Sequence, residues 1–168
     1  IGSAPTLAAL SGTYKLPANL DASVSTEMVT EIWAKVWRPD AGGPYPLVVV
    51  LHGNHGTCGR LDPGLGIRID DRSDYTSSGT CPPGYVVTPN HSGYDYFAKK
   101  LADQGNVVVS INANRGVNAA PGVSGDAGLN LRRGRLVLRH MQKLAEWNSG
   151  AASTPTQLGF SLLGLIDF

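Results

Sequence analysis

The pentapeptide His52-Gly53-Asn54-His55-Gly56 follows directly on the apolar run Leu47-Val48-Val49-Val50-Leu51. A run with no polar face reads as a strand buried on both sides, as in a parallel sheet covered by helices. When such a strand ends in His-Gly, backbone N–H groups are left at the carboxyl edge of the sheet. Acyl-transfer chemistry needs donors of that kind, because negative charge develops on the carbonyl oxygen as a tetrahedral intermediate forms. The main-chain N–H groups of Asn54 and His55 are the expected oxyanion donors. Gly53 and Gly56 permit the backbone angles and close approach this requires, and His52 is expected to brace the turn through hydrogen bonds. The competing reading is an ordinary glycine-rich turn.

A second polar loop, Asn112-Ala113-Asn114-Arg115-Gly116, follows the run Asn106-Val107-Val108-Val109-Ser110-Ile111. Ligands in open α/β sheets sit outside the carboxyl ends of strands. Asn112, Asn114 and Arg115 therefore either support the first loop and line a pocket, or form a turn whose arginine pairs with a carboxylate such as Asp126. Other groupings carry less chemistry. His52, His55 and Cys58 stand three residues apart, a spacing suited to helix-borne or knuckle metal ligands. Gly53 and Gly56 oppose a helix there and no second Cys/His pair follows, so no metal and no cofactor is expected. Asp62, Asp70, Asp71 and Asp74 match no calcium-loop spacing and read as solvated loop charges. Ser161, in Gly159-Phe160-Ser161-Leu162-Leu163-Gly164, lacks a preceding apolar strand and the second glycine of a nucleophile elbow. His91 reads as a loop residue and His140 as a surface helix residue.

Elements must place the two loops side by side. Residues 1–12 read as an irregular lead-in and Gly12–Leu16 as a short first strand. Thr30–Pro39 alternates polar and apolar residues, the pattern of an antiparallel strand with one wetter face. Residues 46–51 and 106–111 are the buried-type strands. Between them, residues 57–90 form a long inserted loop. A helix then runs from a capping box at Ser92-Gly93-Tyr94-Asp95 to about Gln104, ended by Gly105, with Phe97 and Leu101 on its buried stripe. A longer helix spans roughly Gly128–Trp147, capped by Asp126, with Val137, Met141 and Leu144 at helical spacing. No further strand is evident in Gly159–Phe168. Strand, helix, strand, helix in this order implies a parallel sheet with right-handed crossovers.

Composition narrows the setting. Hydrophobic residues make up 42% of the sequence and charged residues 16%, enough apolar side chains for a core. A net charge of +1, with Lys and Arg scattered, gives no electrostatic case for nucleic acid or an anionic membrane. No run approaches the ~18 apolar residues of a membrane-spanning helix. The opening Ile1-Gly2-Ser3-Ala4-Pro5 carries no basic leader and reads as an already processed terminus. The two cysteines, Cys58 and Cys81, bracket one polar loop. A bridge would close that loop, stabilising by roughly 3 kcal/mol, and points to a secreted or periplasmic location.

The strand with HGNHG resembles the first oxyanion-hole segment of the α/β-hydrolase family. With the second strand and its NANRG loop, the resemblance covers roughly residues 28–168. It implies one domain with the amino-terminal half of a three-layer α/β/α sandwich, its mostly parallel sheet incomplete in this chain. It also implies a secreted serine hydrolase cleaving carboxylic esters, small or polymeric. The family's nucleophile elbow, Gly-x-Ser-x-Gly, is absent from the sequence. The expectation is a truncated or split chain, inactive alone, that supplies the oxyanion loop. A second polypeptide segment would carry the elbow, the catalytic acid and the histidine base. The alternatives are a non-catalytic α/β binding or assembly domain, or a dienelactone-hydrolase-like or peptidase activity on the same scaffold.

Overall fold

A computed structural model of the chain describes residues 7–26, 28–54, 56–62, 64, 66–69, 81–117 and 126–168. In chain order these form β1 (Ala9–Lys15), β2 (Asn19–Leu20), β3 (Val29–Thr30), β4 (Trp33–Pro39), β5 (Tyr45–Leu51), β6 (Cys58–Asp62), β7 (Gly66–Ile69), β8 (Tyr85–Val87), α1 (Asp95–Ala102), β9 (Val107–Ile111), α2 (Asp126–Ser149) and β10 (Ile166–Asp167). Short 3₁₀ turns occupy Asn90–Tyr94 and Thr156–Leu158.

The main sheet has the order β1-β4-β9-β5-β10. The pairs β9–β5 and β5–β10 are parallel, while β1–β4 and β4–β9 are antiparallel. The expected mostly parallel sheet is therefore mixed. The two continuous valine runs make its parallel part, and the alternating run that became β4 turns the chain antiparallel.

Cross-strand rows assign the two faces. Tyr14, Ala34 and Ile111 stand opposite one another across three strands, and the Tyr14 ring meets His140 and Trp147 of α2. Residues one position along point the other way. Lys35 Nζ and Trp37 Nε1 donate to the Asp95 carboxylate of α1 at 2.6 and 3.4 Å, and Ser110 Oγ donates to the His91 carbonyl at 2.7 Å. Thus α2 covers one face, and α1 with its preceding 3₁₀ turn covers the other. The core lies on the α2 side, where Val36, Val107, Val109 and Ile111 pack with Leu136, Leu144, Leu158 and Leu162. Burial of each such side chain contributes about 1.5–3 kcal/mol.

Several expectations are corrected. The lead-in is shorter than residues 1–12, because pairing with β4 begins at Ala9. The inserted loop is structured: β6 pairs antiparallel with both β7 and β8 in a small sheet. No capping box opens α1. Ser92 lies inside the 3₁₀ turn, and the N-cap position is taken by Tyr94 without a side-chain bond. Ala98 and Ala102 are the buried residues of α1, whereas Phe97 is exposed. Small residues there let the helix lie close on the sheet. Helix α2 begins at Asp126, two residues before the expected start. The buried stripe of α2 is Arg133, Leu136, His140, Leu144 and Trp147; of the expected residues Leu144 is buried in the core, whereas Val137 and Met141 are only half-buried. His140 is thus interior, its Nδ1 bonded to the Tyr14 hydroxyl at 2.6 Å. Finally, β10 adds a short parallel strand where none was expected. It pairs only with Tyr45 and Pro46 of β5, so Leu47–Leu51 are half-buried while every residue of β9 is buried.

Candidate functional site

The parallel pairing of β5 and β9 is in register from Leu47↔Val107 to Leu51↔Ile111. Both polar loops consequently leave the sheet at one edge. His52 and Ala113 stitch them together: the Ala113 N–H donates to His52 Nε2 at 2.8 Å. With Nε2 an acceptor, the ring proton sits on Nδ1, which donates to the Gly53 carbonyl at 2.7 Å. His52 is buried, and both ring nitrogens are occupied in fixing the turn. Beyond it, Gly53 and Asn54 are exposed. His55 lies outside the described residues.

A second clamp comes from α2. Arg133, which is 8% exposed, donates through Nη2 to the His52 carbonyl and through Nη1 to the Ala113 carbonyl at 3.1 Å. Burial lowers its pKa, with Tyr94 opposing. The same two residues that the imidazole joins are therefore joined again by the guanidinium. Arg133 escaped the sequence reading, although an arginine in phase with Leu136, His140 and Leu144 on an apolar helical stripe was a visible signal.

Asn112 and Asn114 are buried and point into protein. Their Nδ2 groups both donate to the Thr88 carbonyl, at 2.8 and 2.7 Å. Asn112 Nδ2 also reaches His91 Nδ1 at 3.1 Å, and Asn114 Oδ1 accepts from Asn90 Nδ2 at 3.1 Å. The pair thus latches segment 88–91 over the sheet edge. His91 belongs to the 3₁₀ turn, edge-on to the Trp33 ring at 4.6 Å. Burial drives its pKa down to about 4, against the raising influence of Asp95, so it is neutral near pH 7.

Arg115 pairs with Glu31, Nη1 to Oε2 at 3.3 Å, and Lys15 approaches the same oxygen at 3.5 Å. Glu31 is buried and arrives on the segment just before β4, a neighbour no spacing in the sequence could name. Gly116 closes the loop at φ +73°, where an added Cβ would lie 2.2 Å from the Val29 carbonyl oxygen. Only glycine fits that conformation and that approach.

No family model matches this chain, and no curated protein or solved structure matches it.

The remaining candidates fall elsewhere. Cys58 and Cys81 form a disulfide, so the Cys58 sulfur is spent on the bridge that ties β6 to the segment entering β8. The Asp62 carboxylate accepts the Gly64 N–H at 2.9 Å in a local turn; Asp70, Asp71 and Asp74 lie outside the described residues. Ser161 Oγ accepts the Leu163 N–H at 3.1 Å, again a local turn. Among the described residues no helix is long and apolar enough to cross a membrane.

Proposed function

We propose that this chain is part of a serine hydrolase of α/β-hydrolase type that cleaves carboxylic esters. The turn after β5 supplies main-chain N–H donors to the oxyanion, with Asn54 the principal one. The serine nucleophile, the acid and the histidine base belong to a further polypeptide segment. The observation that carries this reading is the contrast within four residues: Leu51 and His52 are packed and bonded, whereas Gly53 and Asn54 stand exposed at the end of a parallel strand. A glycine-rich turn with no task has no need of a buried histidine and a buried arginine to hold it. The parallel neighbours β9 and β10 on either side of β5 agree with that topology, and a helix on each face agrees with a three-layer sandwich.

In this mechanism the serine attacks the acyl carbon, the histidine takes and returns the proton, and the turn holds the oxyanion. One such donor contributes on the order of 3 kcal/mol in the transition state. The disulfide suits an oxidising, extracytoplasmic setting. The test uses the natural protein that contains this chain. It should react with a fluorophosphonate and hydrolyse a p-nitrophenyl ester, and Asn54→Pro should lower kcat by about a hundredfold. Near-normal turnover in a folded Asn54→Pro variant would move the donor elsewhere.

A second reading, a non-catalytic binding or assembly domain, is favoured by one feature. Beside β5 lies an apolar groove of about 380 Å³ lined by Pro46, Leu47, Val49, Met141, Asp167 and Phe168. Absence of both labelling and turnover would decide for that reading.

A further inference from the structure

We propose that Arg133 is a positioning residue for the turn after β5, setting where the Asn54 N–H points. This rests on the oxyanion reading of that turn. Three bonds converge on two backbone residues: the guanidinium holds the carbonyls of His52 and Ala113, and the Ala113 N–H is held by the His52 ring. Remove the arginine, and two of these three bonds are lost. The His52 carbonyl shares its peptide plane with the Gly53 N–H. The next plane pairs the Gly53 carbonyl, held by the His52 ring at 2.7 Å, with the Asn54 N–H. The arginine thus fixes the first plane and, through the turn it anchors, the direction of the second. A long side chain reaching from a helix on one face is suited to this. Its anchor, the stripe Leu136–His140–Leu144, is rigidly packed, so the fork arrives pre-oriented and can grip two carbonyls at once.

The role differs from simple core packing in what it controls. Donors displaced by about 1 Å cost on the order of a hundredfold in rate, and the loss falls on the transition state and leaves substrate binding intact. Lysine keeps the charge but can hold only one carbonyl well, whereas methionine keeps most of the stem and neither donor.

The experiment compares Arg133→Met, Arg133→Lys and Leu144→Ala in the natural protein containing this chain. Leu144→Ala serves as a control that weakens the same helix face without touching the turn. Arg133→Met is expected to lower kcat on a p-nitrophenyl ester about tenfold or more with KM within about twofold, Arg133→Lys to recover part of that loss, and Leu144→Ala to lower Tm while leaving kcat nearly unchanged. Amide exchange read by NMR supplies an arm independent of activity: the Ala113 N–H should exchange faster in Arg133→Met than in Leu144→Ala. Equal kcat in Arg133→Met and Leu144→Ala overturns the role, as does an Ala113 amide as protected as in the parent. If Arg133→Met does not fold, Arg133→Lys carries the same comparison. If the parent neither turns over ester nor takes a fluorophosphonate, the oxyanion reading fails and the exchange arm alone decides whether Arg133 sets the turn.

Discussion

Burial holds the His140 imidazole down to about 3 and that of His91 to about 4, from an ordinary 6.5. Both rings are neutral in the fold at pH values where the unfolded chain binds protons. A depressed folded pKa means stability that is complete above about pH 6.5 and is lost as pH falls toward the folded values, because the unfolded state then carries more protons. Unfolding free energy should therefore drop by roughly 2–4 kcal/mol between about pH 7 and pH 5. Urea titrations at the two pH values, compared at constant m, measure this. Coincident midpoints would mean that the rings are already protonated or exposed in the fold. The hydroxyl of Tyr14 shares the His140 site, and burial raises its pKa as well, so the pair is a neutral hydrogen bond across the physiological range.

Among the elements, the small sheet β7-β6-β8 depends most on a covalent link. The bridge from Cys58 to Cys81 spans 23 residues of sequence, and closing such a loop stabilises by roughly 3 kcal/mol. Its effect reaches the candidate site through backbone contacts. Cys58 pairs with Val87, and the next residue, Thr88, donates its N–H to the Thr57 carbonyl at 2.8 Å while its own carbonyl accepts from Asn112 and Asn114. Reduction should shift mass by two daltons, lower the urea midpoint, and deprotect the Thr88 and Val87 amides before those of β9. Uniform loss of protection across β9 and β8 would show that the small sheet and the main sheet unfold as one unit.

For the molecule as a whole, the open side of β5 is the exposed liability. β10 satisfies Tyr45 and Pro46, while among the described residues Leu47–Leu51 have no strand on that side. Phe168, more than half exposed, adds apolar surface beside Pro46, Leu47 and Val49. Unpaired edges beside apolar side chains promote strand addition and self-association. A polypeptide of residues 1–168 by itself should associate with rising concentration in sedimentation velocity, and it should not hydrolyse a p-nitrophenyl ester. A monomeric, cooperatively folded and esterolytic 168-residue chain would overturn both the edge argument and the placement of the nucleophile outside it.

The sequence by itself determined what is local. Continuous valine runs placed β5 and β9, alternation placed β4, and two cysteines flanking one segment determined the disulfide. Gly105 at φ +87° ends the α1 region as its position after a helical pattern implied. These features depend on near neighbours in the chain, through backbone conformation and side-chain periodicity. Tertiary structure alone decided which distant groups meet: Glu31 as the partner of Arg115, Thr88 as the acceptor for two asparagines, Arg133 as the clamp on His52 and Ala113, and a histidine on α2 buried against Tyr14. Each of these joins residues far apart in sequence through a cross-strand register or a helix rotation. A shift of one residue in register, or about 100° in helix phase, swaps the facing set. Periodicity fixes such phases only to within a residue, so on α2 it placed Leu144 in the core but named the half-buried Val137 and Met141 beside the buried Leu136 and His140.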